Sequence, residues 1–159
     1  MWNDAPWTPR RWQEEALPLA ISSLRQGKRP IISAIMGAGK SILLAELVYE
    51  ALKKLQPGYK VVVTAPRQSF IRQLYGTISV RCRNENVVSA RARSRQVKCA
   101  LLVGDEVHGT EAENFKNCYQ FIDPACAIGF TATPYRSNEV ERLSLCDEVI
   151  YRYRAKDAL

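Results

Sequence analysis

Eight residues, Ala34-Ile-Met-Gly-Ala-Gly-Lys-Ser41, have the types and order of a loop that holds phosphate. Before them runs a short apolar stretch bounded by Pro30, which reads as a buried strand. After them Ile42–Leu52 carries apolar residues at three- and four-residue spacing, which reads as a helix. A strand, a glycine turn and a helix opening on Gly-Lys-Ser are the setting such a loop requires. Glycines let the backbone curl so that successive N–H groups point inward at phosphate oxygens. The helix start adds unpaired N–H donors and the positive end of its dipole. Met36, Gly37, Ala38 and Gly39 would supply the cradle, Lys40 would reach the β- and γ-phosphates, and the Ser41 hydroxyl would sit on Mg²⁺. The usual pattern, G-x-x-x-x-G-K-[ST], has Ala34 in place of its first glycine, which leaves the turning to Gly37 and Gly39. An ordinary strand-to-helix turn with an exposed lysine is the other reading of these residues alone.

A second group, Asp105-Glu106-Val107-His108, follows the apolar run Cys99-Ala-Leu-Leu-Val-Gly104. Two adjacent carboxylates after a buried strand have a specific use. The first, Asp105, can hold Mg²⁺ opposite Ser41, and the second, Glu106, can orient and deprotonate a water that attacks a γ-phosphate. A polar turn capping a strand is the alternative. Asp105 lies 65 residues after Lys40, and a phosphate loop in the same sheet favours the catalytic reading.

The elements that must position these groups alternate. Residues 1–12 hold Trp2, Trp7 and Trp12 with Pro6 and Pro9 and read as an extended lead-in. A helix is expected from Gln13 to Leu24, shortened or kinked at Pro18. Strands are expected over residues 59–65, 86–90, 99–104 and 126–131, and another beginning at Val149. Helices are expected from Gly39 to about Leu55, from Ser69 to about Ile78 and from Glu111 to about Ile122. The polar segment 91–97 reads as a loop or a helical turn. Alternation of this kind implies an α/β fold, a doubly wound parallel sheet with helices on both faces. Its right-handed crossovers bring the loops after the strands to one edge. The expected domain runs over residues 1–150, with 151–159 the start of a linker toward a second domain.

Composition sets the frame. The chain has 159 residues, 47% hydrophobic and 25% charged, enough for one domain with a core. No apolar run reaches the roughly 18 residues of a membrane span, and Met1–Trp7 lacks the pattern of a signal peptide. Five scattered cysteines form no C-x-x-C pair and read as reduced packing residues in a cytoplasmic setting. The net charge of +7 is concentrated between Arg67 and Lys98, where eight basic residues face only Glu85, so a polyanionic partner is favoured.

Four segments in this order resemble the first RecA-like motor domain of superfamily 2 DExH-box helicases and translocases. They are Arg10-Arg-Trp-Gln13, Ala34–Ser41, Asp105–His108 and Thr131-Ala-Thr-Pro134. The run from Asp105 through Gly129–Arg136 is similar to the branch containing type III restriction subunits and phage DNA-remodelling helicases. The resemblance implies a three-layer sandwich with ATP and Mg²⁺ at the strand ends. It implies that Gln13 reads adenine with Arg10 or Trp12 packed beside it, and that Glu106 is the general base. It implies that His108 bridges to Thr131 and Thr133 to couple the nucleotide to nucleic acid. Pro66, Arg67, Ser89, Arg91 and Arg93 match positions that touch a nucleic-acid backbone. The expected partners are single-stranded or branched nucleic acid, DNA rather than RNA, and a second RecA-like domain. The expected setting is the cytoplasm of a bacterial or phage-infected cell, with no membrane partner. Arginine fingers belong to that second domain, so this chain alone is expected to bind nucleotide and hydrolyse it slowly. The rival readings are a phosphate-loop ATPase switch that does not translocate and a nucleic-acid-binding module with a vestigial site.

Overall fold

β-Branched and apolar runs build a sheet of six strands, all parallel. The computed structural model describes residues 1–90, 97–107, 110–132 and 146–158, with the side chains of 110–112 left aside. The strands are β1 (Pro30–Ala34), β2 (Tyr59–Thr64), β3 (Val87–Ser89), β4 (Lys98–Gly104), β5 (Cys126–Thr131) and β6 (Glu148–Tyr153). The helices are α1 (Arg11–Arg25), α2 (Lys40–Leu52), α3 (Gln68–Arg81) and α4 (Thr110–Ile122), and a short 3₁₀ turn, Ala155–Ala158, follows β6.

The sheet order is β3-β2-β4-β5-β1-β6. Ile32 of β1 pairs with Phe130 of β5, and Val103 of β4 with Ile128 of β5. The strand carrying the glycine loop and the strand carrying Asp105 therefore flank β5, and all three end at the same edge. Alternation along each strand divides the core. Val61, Val63, Leu101, Val103, Ile128 and Phe130 pack under α1, α2 and α3, whereas Val62, Leu102 and Ala127 face Phe115 and Ile122 of α4. Helices on both faces of a parallel sheet make the expected RecA-like three-layer α/β architecture, which the structure bears out.

Three local expectations change. α1 begins at Arg11 rather than Gln13, because Gln13 caps its own start: the Arg10 backbone N–H donates to Gln13 Oε1 at 2.7 Å. Pro18 does not shorten this helix, which continues to Arg25. Pro18 is on the exposed side, where water can serve the carbonyl it leaves unpaired, while Ala16, Leu17 and Ala20 are fully buried and hold both halves down. The boundary set at residue 150 falls inside β6. Ile32, Ser33 and Ala34 pair with Tyr151, Arg152 and Tyr153, and the Ile35 N–H donates to the Tyr153 carbonyl at 3.2 Å.

The expected thiol packing is visible. All five cysteines are free. Burial pushes the Cys99 thiol up to about 11 and the Cys146 thiol up to about 12, so both stay protonated at neutral pH. No helix among the described residues is long and apolar enough to cross a membrane.

The lead-in is tied down through an ion pair under it. Arg81, at the end of α3, reaches Glu46 of α2 with Nε at 2.6 Å from Oε2 and Nη2 at 3.2 Å from Oε1. The side chains are 4% and 0% exposed. The guanidinium also donates to the Asn3 and Asp4 carbonyls, the Trp2 N–H donates to Glu46, and the Tyr49 ring lies 3.6 Å away. Two desolvated charges with every edge satisfied are stable together and costly apart. Arg81→Ala is expected to lower stability by about 3–5 kcal/mol, because it strands Glu46 in the core. Replacing both residues by leucine should cost less than either single leucine variant. Urea unfolding of the set checks this, and losses that simply add would sink the pairing.

Candidate functional site

The loop after β1 is held from behind by α1. Arg10 Nη1 donates to the carbonyls of Gly37 and Ala38 at 3.2 and 3.1 Å, Trp12 Nε1 donates to Ala38 at 3.1 Å, and Gln13 Nε2 donates to Gly39 at 2.9 Å. Three consecutive carbonyls are thus turned toward α1. A trans peptide sets its N–H opposite its C=O, so the N–H groups of Gly39 and Lys40 face away from α1. Gly39 is the N-cap of α2 at φ +92°, and a Cβ there would lie 2.8 Å from Gln13 Nε2. Both the backbone angle and the close approach require glycine.

Lys40 folds back over the loop. Its Nζ donates to the Ala34 carbonyl at 3.0 Å and lies 3.5 Å from Glu106 Oε1. Ala34 is a fully buried β1 residue paired with Tyr153. What it offers Lys40 is its carbonyl, so this position tolerates a side chain where the usual pattern has glycine.

The carboxylate turn is anchored on both sides. The Asp105 N–H donates to Thr64 of β2 and the Val107 N–H to Phe130 of β5, both at 2.9 Å. Val107 is 2% exposed and fills the space left by two glycines. A Cβ on Gly104 or on Gly129 would come within 2.5 Å of its methyl groups. Between these anchors Glu106 adopts φ +54°, uncommon for a residue with a side chain. Its Oε2 accepts the Ala132 N–H at 3.3 Å, while its Oε1 faces Lys40. Asp105 Oδ1 accepts the Glu106 N–H at 3.1 Å.

These groups border one cavity of about 440 Å³, lined by Met36, Gly37, Gly39, Lys40, Ser41, Asp105 and Glu106. Its remaining wall is α3, which contributes Phe70, Gln73, Leu74 and Thr77. Sequence reasoning missed this wall, although the four residues stand at i, i+3, i+4 and i+7, one face of a helix. Ser41 and Met36 are exposed, Met36 at 82%. Gln13 is not presented to this cavity: it is 1% exposed and both ends of its amide are engaged within the protein. Thr131 is fully buried at the end of β5. Pro66 and the exposed Arg67 lead into α3, and Ser89 ends β3, so all three lie toward the carboxyl edge of the sheet. Arg91, Arg93, His108 and Thr133 lie outside the described residues.

An ammonium, a helix start with free N–H donors, a hydroxyl and two carboxylates around one cavity fit a polyphosphate carried with Mg²⁺. Among the described residues there is no group of three or more His, Cys, Asp or Glu able to hold a metal. Mg²⁺ ordinarily binds through one or two carboxylates together with substrate phosphates, and Asp105 offers one such carboxylate at this cavity.

A parallel sheet with helices on both faces, and a glycine loop, a lysine and paired carboxylates around one cavity at its carboxyl edge, is the arrangement of a RecA-like α/β domain. The chain belongs to the DEAD/DEAH box helicase family, whose profile matches residues 10–98. The profile of the type III restriction enzyme res subunit matches residues 84–136. A 51.5 kDa protein of Lactococcus phage (isolate 7-9) is 29% identical over 113 residues, covering 67% of this chain and 24% of that protein. The chain therefore spans about a quarter of that relative's length. The Sulfolobus solfataricus SWI2/SNF2 ATPase core in complex with dsDNA is similar with a TM-score of 0.72 at 13% identity, over 88% of this chain and 36% of that one. The UvsW helicase from bacteriophage T4 is similar with a TM-score of 0.65 at 15% identity, over 91% of this chain and 60% of that one. These two likenesses concern the fold. The resemblance to superfamily 2 motor domains is borne out.

If Gln13 holds the loop, Gln13→Ala leaves the Gly39 carbonyl and the Arg10 N–H unpaired at a cost of about 1–3 kcal/mol. Amide hydrogen exchange should accelerate at residues 37–43 and stay unchanged in β4 and β5. Unchanged exchange in the loop would remove Gln13 from this role.

Proposed function

We propose that this chain is the ATP-binding and hydrolysing domain of a nucleic-acid-dependent motor that acts on DNA. The observation that carries the reading is the contact of Lys40 with Glu106 at 3.5 Å, within a cavity that the glycine loop also lines. A γ-phosphate held by Lys40 lies beside the carboxylate that would take the proton from the attacking water. Ser41 and Asp105 would hold Mg²⁺, which when bound neutralises charge on the phosphates. Backbone N–H groups of the Met36–Gly39 loop bind the phosphates, and Arg10, Trp12 and Gln13 serve the base end of the site, Gln13 through the loop.

The link from Glu106 to the Ala132 N–H supports Thr131, Thr133 and His108 as the coupling segment, since it joins the hydrolytic carboxylate to the end of β5. Pro66, Arg67, Ser89, Arg91 and Arg93 would contact the phosphate backbone of one strand and make binding salt-sensitive. DNA is favoured over RNA by the SWI2/SNF2 core described in complex with dsDNA. Residues after β6 lead toward a second RecA-like domain that supplies the transition-state arginines, worth factors of roughly 10³–10⁵ in rate. The 159-residue chain alone is then a nucleotide binder with slow turnover.

ATP turnover with and without single-stranded DNA tests this, in the present chain and in a longer chain carrying the second domain. Strong stimulation is expected only in the longer chain. Glu106→Gln should lower that turnover by roughly 10²–10⁴-fold while ATP still binds. Lys40→Ala should weaken ATP binding by roughly 10–100-fold, the loss of a charged contact of about 1.5–3 kcal/mol. Equal hydrolysis with or without DNA or RNA in the longer chain would replace the motor with a switch.

A further inference from the structure

At the opposite edge of the sheet from the glycine loop, the strands begin and α1 and α2 end. A cavity of about 260 Å³ opens there, between the two helix ends and the starts of β4 and β5. Leu24, Leu47, Ala51, Leu55, Leu101 and Cys126 line it. Leu47 and Leu101 are buried, whereas Leu24, Ala51, Leu55 and Cys126 are only partly covered. Ala51 and Ala100 leave a gap that larger side chains would fill.

The space is several times the roughly 30 Å³ share of one water, and an apolar floor holds water poorly. Poorly held water yields readily to an apolar group. Arg25, Glu50 and Lys54 form the mouth. Glu50 is already paired, with Lys53 at 2.8 Å and with the N-terminal ammonium at 3.9 Å. Arg25 and Lys54 are exposed, and neither forms a salt bridge among the described residues. The mouth is therefore positive over an apolar floor. A nucleic-acid backbone would meet the cations and leave the floor bare. A wholly apolar partner would fill the floor and leave the cations facing nothing. A large aliphatic side chain with a carboxylate beside it satisfies both. The net charge of +7 favours the approach of an acidic surface.

We propose that this cavity docks an acidic segment of a partner protein. The segment inserts one leucine-sized side chain and sets an adjacent carboxylate against Arg25 and Lys54. A single anchor buried in a pocket is the form in which protein surfaces gather most of their binding energy. Lys40 starts α2 and the cavity lies at its other end, a helix length of roughly 20 Å away. The partner and a ligand of the glycine loop are therefore held at the same time, and the inference does not depend on what that loop binds.

Two probes test this on the 159-residue chain at low salt, followed by amide NMR shifts. N-acetyl-leucine carries the aliphatic group and the carboxylate, and N-acetyl-leucinamide has the same shape without the charge. N-acetyl-leucine is expected to bind with a Kd on the order of 1 mM, the scale for so small a ligand. It should shift Ala51, Leu55, Ala100 and Leu101 and leave Met36–Ser41 unmoved. The amide should bind about three- to tenfold more weakly, the effect of two exposed cations. Replacing both cations, Arg25→Ala with Lys54→Ala, should erase that difference while the leucine side chain still binds. Ala51→Leu should fill the cavity and weaken both probes. Absence of these shifts at roughly ten times the expected Kd overturns the site. Equal binding of the two probes to the unaltered chain overturns the acidic partner. Octanoate binding more than about tenfold tighter than N-acetyl-leucine would assign the cavity to a free aliphatic acid instead. The same shifts appearing when the chain is concentrated without a probe would assign it to a second copy.

Discussion

Three side chains at the start of α1 hold three consecutive carbonyls of the loop after β1, and the rest of the site depends on that. A glycine turn is soft by itself, because glycine gives up the most conformational freedom on ordering. Here Arg10, Trp12 and Gln13 each donate into the turn, so its peptide planes are set by a helix whose other side is buried in the sheet. Trp12 is the centre of this arrangement. Its indole is 3% exposed, donates to Ala38 and stacks on Tyr153 of β6. The loop, the first helix and the edge strand are therefore one packed unit.

A second constraint acts from β4. Glycines at 104 and 129 let Val107 drop between the strand ends, and backbone bonds to Thr64 and Phe130 fix the turn on either side. Glu106 is left projecting from a left-handed backbone position toward both Lys40 and Ala132. Backbone strain of about 1–3 kcal/mol at such a residue persists only where its surroundings over-determine it. The anchors on each side of Glu106 meet that condition. Sheet order does the rest, since β5 lies between the strand of the loop and the strand of the carboxylates and so brings Ala132 to the contact.

The α/β alternation was legible because apolar runs and Pro-Gly breaks are local signals, and β5 was read to the residue. The strand, glycine turn and helix around residues 34–41 were legible despite Ala34, because Gly37 and Gly39 between two apolar runs mark the turn. Gln13 was legible as a type and not as an orientation. Its amide turns inward because the Arg10 N–H and the Gly39 carbonyl meet it there, and neither partner is visible in the spacing. Pro18 gave a local signal that burial of its neighbours overrode. The wall made by α3 carried a helical pattern, but nothing in one sequence says which face turns toward a cavity. The Glu46–Arg81 pair was invisible for the same reason: a basic stretch reads as solvated until a carboxylate is found under it.

That pair also bears on how the chain could work. α3 does two things along its length. Its first turns follow Pro66 and Arg67 and line the cavity with Phe70, Gln73, Leu74 and Thr77, and its last residue is bound to α2 through a desolvated ion pair. α2 in turn starts at the loop itself, on Lys40. A shift of the loop would therefore have to move α2, and with it α3, or else expose two charges that are 0% and 4% accessible. Sliding one helix past the other is the costly alternative, because breaking a buried pair costs about 3–5 kcal/mol. The two helices are expected to move as one body, which carries Arg67 along with any change at Lys40.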